Sequence, residues 1–540
     1  MSRYPVYFAG FGTVVLFVAS SMFSVAGPPH TDEPADNAPA TSDVAALAAA
    51  IDEHIAARWK SEAVQPSPPA DEAEYLRRTY LNLAGKIPRV ADIREFLDDP
   101  SPNKKAELVD RLLESPAYVS NFTNFWRALM LPEANANYQI RFLVPSFEAW
   151  LREQLTRNDS YDHIARELVA ASLSANPTQS PQVQFLGSGP IAFYRAKQFK
   201  PENIAAGTSR LFLGIRLECA QCHDHPFATW KREEFWSFAA FFSGISGETN
   251  GQFNDVVTRK EIAIPDTDKV VQAQFLGGAT LPSSSGTRPR AALAEWLTSP
   301  ENPYFARAAT NRIWAHFFGL GLVDPVDDFS EYNSPSHPEL LDLLAVQFAE
   351  HTFDVKFLIR AITSSKTYQL SSRQTHESQA DPHMFARMTV KGLTAEQLFD
   401  SLATATGYFE NIPLRSRFVV QNNSPRAKIR ELFANENATP SESQTSILQA
   451  LALMNGKFVA DATSIENSAT LAAVIDSPFF DTSGRVETLY LASLSREPRA
   501  DELARLVEYV DSGGAKGSAK TALGDVFWAL LNSSEFLRNH

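Results

Sequence analysis

Apolar residues recur at helical spacing along most of the chain. In 104–115, Ala106, Leu108, Val109, Leu112 and Leu113 fall on one face with Lys, Glu, Asp and Arg between them, which predicts an amphipathic helix. The same pattern predicts helices over 43–60, 71–84, 90–98, 118–130, 146–156 and 160–172, parted by breaks such as Pro88, Pro100-Ser101-Pro102 and Pro116. It resumes over 290–298, 303–318, 337–351, 354–364, 394–406, 445–454, 484–495, 500–511 and 519–537. Between the two runs the period shortens. Residues 255–264 (DVVTRKEIAI) and 269–276 (KVVQAQFL) are β-branched and flank Pro265-Asp266, predicting one small hairpin near 255–276. Residues 281–290 (LPSSSGTRPR) have the composition of a linker. The fold class is therefore mainly α: two helical domains, 43–280 and 291–540, with a small β-hairpin element.

The first residues follow a different rule. No charge lies between Arg3 and Asp32; Val6 to Val18 is largely apolar, and Ser24-Val25-Ala26 offers small residues where a signal peptidase reads. This predicts a signal peptide at 1–26 and places the body in the periplasm or at the cell surface. The rival is an uncleaved anchor, since the uncharged stretch is long enough to span a bilayer. No cysteine sits near the signal, which excludes a bacterial lipoprotein. Residues 27–42 (GPPHTDEPADNAPATS) read as a disordered linker. Any membrane contact is expected only through the N-terminal segment.

Charge narrows the partners. The 540 residues carry 49 Lys plus Arg against 63 Asp plus Glu, a net charge of −14, so the basic footprint of phosphate-backbone binding is missing. Nucleic acid is not an expected partner. Two cysteines cannot build a disulfide framework.

Their placement is the informative feature. They sit in Cys219-Ala220-Gln221-Cys222-His223, followed by Asp224-His225-Pro226. Random scattering of two cysteines and eleven histidines over 540 positions gives this form roughly once in thirteen thousand arrangements. Covalent haem attachment explains it: each thiol adds to one vinyl group of the porphyrin, and the adjacent imidazole becomes an axial ligand. Cys219 and Cys222 are then the haem c attachment residues and His223 the iron ligand. Asp224 or a backbone carbonyl would hold the other ring nitrogen.

Other chemistries compete for the same residues. A thiol–disulfide pair lacks the strand–helix alternation of a thioredoxin-like surround. Zinc would have to use Cys219, Cys222, His223 and His225 crowded within seven residues. A structural disulfide across two residues constrains little. The aromatic flank 229–245 (TWKREEFWSFAAFFSGI) is either a core helix or the wall of a macrocycle, through Phe235, Trp236, Phe238, Phe241 and Phe242.

The chain resembles the paired planctomycete domains of unknown function associated with cytochrome c, the PSCyt and PSD type families. The resemblance rests on 75–85 (YLRRTYLNLAG), 108–118, 219–242, 290–298, 302–323 (NPYFARAATNRIWAHFFGLGLV), 327–344, 489–499 and 525–540. It implies export, two helical domains and the cysteine motif, and it assigns no activity. The chain departs from the pattern at Arg538, where an aromatic is expected, and in 407–446, which lacks a cysteine-bearing segment.

Two further groups stand out. Asp324, Asp327, Asp328 and Glu331 gather oxygens that suit a divalent cation, while Ser336 and Glu339 have the spacing of a capping box. Asn311-Arg312 with Trp314 and His316 lies on one helix, with His316 either a core histidine or a second haem ligand. No phosphate loop, nucleophile elbow or His-Glu-x-x-His signature occurs. The expected function is electron transfer through one c-type haem, with a redox partner protein. The rivals are a haem enzyme with an open iron position, and a structural or partner-binding module using the cysteines for a metal or a disulfide. His163, His225, His316, His337, Met384 and Met454 are the candidate sixth ligands.

Overall fold

The computed structural model describes residues 41–540 except 136, 174–188, 227, 250–251, 282–285, 287, 410–423 and 434–455. The signal peptide, nearly all of 27–42, the helix expected at 445–454, Met454 and half of the 281–290 linker lie outside them. The fold is mainly α. No described helix is long and apolar enough to cross a membrane.

The helix Glu72–Leu83 lies at the centre. Asp71 starts it, its carboxylate accepting from Glu74 N at 2.8 Å. Every residue from Tyr75 to Leu83 is buried, including Arg77 and Arg78. Burying two guanidiniums is unfavourable unless their donors are used, and here every nitrogen but Arg77 Nε has an acceptor. Arg77 donates to the carbonyls of Ser493 and Phe536, both at 3.0 Å. Arg78 donates to Tyr368 O at 2.7 Å and Leu370 O at 2.9 Å, and pairs with Glu74 at 2.6 Å. One helix thereby fastens three segments that lie far apart in sequence.

Two apolar clusters flank it. The larger gathers Leu76, Phe122, Trp126, Phe147, Tyr161 and Phe212 with Leu293, Phe305, Trp314, Phe348 and Phe357. The smaller gathers Leu398, Phe399, Leu471, Leu489, Phe527 and Phe536 around Leu81 and Ile87. The division at 281–290 is one of sequence pattern, and burial does not follow it. Packing in the larger cluster runs on through Phe385 and Met388, and the smaller one joins Leu81 and Ile87 to residues from Leu398 onward.

The strands are short. Glu261–Ala263 pairs antiparallel with Val270–Gln272, Ile262 opposite Val271, which is the hairpin expected near 255–276. A second pair, Ile245–Thr249 with Gln252–Asp255, precedes it. A third, Lys391–Gly392 with Arg538–Asn539, was not legible as strand. The expected capping box at Ser336 does not form. The helix starts at Pro338, and Ser336 Oγ donates to Leu322 O at 3.2 Å, because the preceding loop is tied back to the helix Phe305–Phe318.

Candidate functional site

The cysteine turn is prepared by the segment before it. The helix Pro201–Thr208 passes into a π-helical turn, Ser209–Leu213, that ends at Gly214. Gly214 has φ +68, and a Cβ there would lie 2.5 Å from a Phe329 ring carbon, so glycine is required twice over. Its carbonyl accepts from Phe329 N at 2.9 Å. Arg216 then pairs with Asp327 at 2.5 Å. Leu217 and Ala220 are fully buried and act as feet. Between and beyond them the 3-10 turn Glu218–Gln221 holds Cys219 outward, and Cys222 follows it at the surface.

The far side of the turn is bolted to the helix Arg232–Ala239. Gln221 O accepts from Trp236 Nε1 at 3.0 Å and from Arg232 Nε at 3.3 Å. The Asp224 carboxylate accepts from Arg232 N at 3.0 Å and pairs with Lys231 at 3.2 Å. The backbone bond from Arg232, with Lys231 beside it, holds the Asp224 carboxyl below the usual range. Arg232 Nη2 also reaches Pro265 O at 2.8 Å, tying the turn to the hairpin.

His223 is exposed, and its Nδ1 lies 2.8 Å from the Asp224 carbonyl oxygen. A carbonyl only accepts, so Nδ1 carries a proton and Nε2 is the ring nitrogen left for another partner. The backbone carbonyl of Asp224, rather than its carboxylate, orients the ring. Both cysteines are free and exposed. Two unpaired thiols and an imidazole with Nε2 free of a protein partner are the residue types that covalent haem attachment uses.

The aromatic flank does not wall a macrocycle. The helix ends at Ala239 and passes through a 3-10 turn at 240–242. Phe235, Phe238, Phe241 and Phe242 are no more than 1% exposed. Phe241 packs on Phe275 at 4.8 Å and Phe275 on Trp296 at 5.1 Å, so these rings fill the larger core. The core-helix reading is the one realised.

The candidate sixth ligands are dispersed. His163 is exposed on the helix Tyr161–Val169. His316 donates from Nε2 to Asn82 O at 2.9 Å among Phe122, Phe125 and Phe317. His337 packs against Phe385, with Nδ1 3.1 Å from Ser336 Oγ. Met384 O accepts from Trp59 Nε1 at 2.7 Å. His225 remains in the loop itself, its N–H donating to Trp230 O at 2.9 Å.

Among the described residues, no three His, Cys, Asp or Glu side chains are grouped to hold a metal ion. The four donors of the zinc reading therefore do not converge. The acidic group at 324–331 is used differently: Asp327 serves Arg216 and, at 3.5 Å, Arg210.

One buried arrangement has no local sequence signal. Lys391 Nζ donates to the carbonyls of His316 at 2.6 Å and Phe317 at 2.9 Å, and to Asn82 Oδ1 at 3.0 Å. It closes the C-terminal end of the helix Phe305–Phe318, before Gly319 at φ +85. Burial lowers its ammonium pKa to about 7.

Comparison with known families divides the chain in two. Residues 50–246 match PSCyt2, a protein of unknown function (DUF1549), and residues 289–431 match PSD1, a protein of unknown function (DUF1553). No curated protein and no solved structure matches. The cysteine turn falls in the first match, and Arg312, Asp327 and Phe329 in the second.

Proposed function

We propose, for a chain that belongs to the paired PSCyt2 and PSD1 families of unknown function, that it is an exported carrier of one c-type haem that passes electrons to a partner protein. The observation that carries this reading is the way His223 is held. Its Nδ1 donates to the Asp224 carbonyl, and two free, exposed cysteines precede it in the same stretch of chain. Cys219 and Cys222 would hold the porphyrin and His223 the iron. The group supplies a one-electron couple when bound. The protein's own part is to orient the imidazole through Asp224, to hold the turn through Trp236 and Arg232, and to keep the thiols where a partner's surface reaches them. The uncharged stretch after Arg3 supports export, which haem attachment of this kind needs.

The test is a pyridine haemochrome spectrum and an intact mass of protein made in a cytochrome c-maturing host. One haem per chain is expected, retained through denaturing electrophoresis and weakened by Cys219→Ala or Cys222→Ala. A chain of unmodified mass from that host, with both thiols still open to alkylation, would overturn the proposal. Carbon monoxide separates carrier from enzyme. A reduced haem with both axial positions filled by protein leaves its spectrum unchanged, whereas an open position binds the gas.

A further inference from the structure

A cleft of ≈ 360 Å³ opens at the C-terminal end of the central helix Glu72–Leu83, bounded also by the helices Pro116–Met130 and Ala395–Thr406. Apart from Ala84, Gly85 and Ala117, every residue lining it is polar or charged. Its charges alternate. Arg152 reaches Glu148 at 2.8 Å, and Arg127, buried behind the lining, faces Glu148 at 3.7 Å and Glu396 at 2.9 Å. Glu396 in turn faces Arg430 at 3.3 Å, and Asp400 pairs with Arg426. Lys86 also lines the cleft, and no hydrogen bond or ion pair of the described residues engages it. The lining therefore sets four cations against three carboxylates, and Arg127 raises the surplus to two positive charges.

This surplus is open to solvent. Arg152 is exposed, and Lys86, Arg426 and Arg430 are half-buried. Arg152 donates to Glu148 from Nη2 alone, and Arg430 approaches Glu396 through Nε, so N–H groups of both remain for a ligand. Glu396 and Asp400 lie one turn apart on their helix, as do Arg426 and Arg430 on the helix Pro425–Phe433. With Lys86 acting on Asp400, three cations gather along one side of the cleft. From the helix Pro116–Met130, Ser120 and Asn124 stand one turn apart, neither side chain with a partner among the described residues.

The geometry points to a binding site for a small phosphate monoester, its phosphoryl group among Lys86, Arg426 and Arg430 and its hydroxyls on Ser120 and Asn124. A dianion compensates both surplus charges, and guanidinium N–H groups match phosphate oxygens in pairs. The size fits a ligand of about three to six carbons, because clefts of ~300 Å³ and above enclose small organic molecules. A neutral polyol would leave the charge as it is. Bare phosphate would leave Ser120 and Asn124 unused.

Matched probes isolate the phosphoryl group: glycerol 3-phosphate against glycerol, and glucose 6-phosphate against glucose, titrated calorimetrically into the full chain. Inorganic phosphate and succinate are titrated beside them. Saturable binding of at least one ester is expected below ~10 mM, with its neutral parent, phosphate and succinate all about tenfold weaker or more. Lys86→Gln removes a charge that no described residue engages, so the fold is kept, and it should weaken the ester about tenfold. Ser120→Trp provides the second reading, because Ser120 is exposed on the rim of the same cleft and an indole there fills it. Binding is expected in haem-loaded and haem-free preparations alike, so the site stands or falls apart from the haem. Absence of saturable binding by both esters, equal binding of ester and parent, equal or tighter binding of phosphate or succinate, or binding unaffected by Lys86→Gln or by Ser120→Trp would overturn the proposal.

Discussion

His316 offers a sharp test of how the centre of the molecule is held, because its effect changes with pH. The ring donates to Asn82 O and sits between Phe122 at 5.3 Å and Phe125 at 4.8 Å. Burial, with the Lys391 charge nearby, lowers its pKa from 6.5 to about 4. In that window the unfolded chain takes up a proton that the native state refuses, so stability is lost as pH falls from about 6.5 to about 4. At ~1.4 kcal/mol per pH step the loss is about 3 kcal/mol, and partial exposure of the residue reduces it to about 2. His316→Phe removes this loss along with the bond to Asn82 O. That carbonyl keeps a second donor, Asn121 Nδ2 at 2.8 Å, so the variant's cost at neutral pH is about 1 kcal/mol. The deficit of the variant should therefore shrink by about 2 kcal/mol between pH 7.5 and pH 4 and end as a surplus. Urea midpoints by tryptophan fluorescence for both proteins at both pH values measure it. His337 has a lowered pKa from burial too, but it is present in both proteins and cancels. A deficit that stays constant with pH would refute the reasoning, and a changed haem spectrum in the variant would make His316 a ligand instead.

The remaining expectations concern the turn and the central helix. Trp236→Phe removes one of the two donors to Gln221 O while keeping a ring in the core. Alkylation of Cys219 and Cys222 should then be ~3–10-fold faster with little change in melting temperature, and equal rates would show that this bond does not hold the turn. Gly214→Ala meets both a left-handed φ and the Phe329 ring, so thermal denaturation should show a loss of ~2–3 kcal/mol, and a loss below ~0.5 would contradict it. Arg78→Leu strands the carbonyls of Tyr368 and Leu370 and removes the cation beside Glu74, which keeps only Ser371 and Ser372 as donors. It should cost ~3–5 kcal/mol in urea unfolding, and a neutral outcome would mean that these acceptors find other donors.

What the sequence revealed depends on how local the cause is. The helix expected at 90–98 spans Val90–Asp98, because its signals lie within one turn: Asp92 accepting from Arg89 N, and Ile93 and Phe96 on one face. The helix Pro201–Thr208 was missed, since Gly207 and Thr208 lower its propensity and burial of Ile204 and Ala205 sustains it instead. The stretch at 519–537 was read too long. Its helix ends at Leu531, and the chain then turns to pair Arg538–Asn539 with Lys391–Gly392, a partner no local window contains. Arg77 and Arg78 look like a polar face for the same reason, their acceptors lying some hundreds of residues away. The cysteine motif stands out in the sequence as a spacing of candidate ligands. Its setting does not, because Phe275 and Trp296 decide where the aromatic flank goes.

The same long-range packing bears on why two families share one chain. The described residues of 289–431 share their apolar clusters with the rest of the chain. Leu293, Phe305, Trp314 and Phe348 are fully buried in the cluster that holds Leu76, Phe122 and Phe212. Each such side chain loses about 1.5–3 kcal/mol if returned to water, so a cut at 281–290 would leave both pieces with exposed apolar faces worth more than a typical domain's net stability. The seam also reaches the thiols. Asp327 and Phe329, from the second family's match, hold Arg216 and Gly214 immediately before the turn that presents Cys219. The first family's match supplies the two exposed cysteines, and the second sets the backbone from which they project.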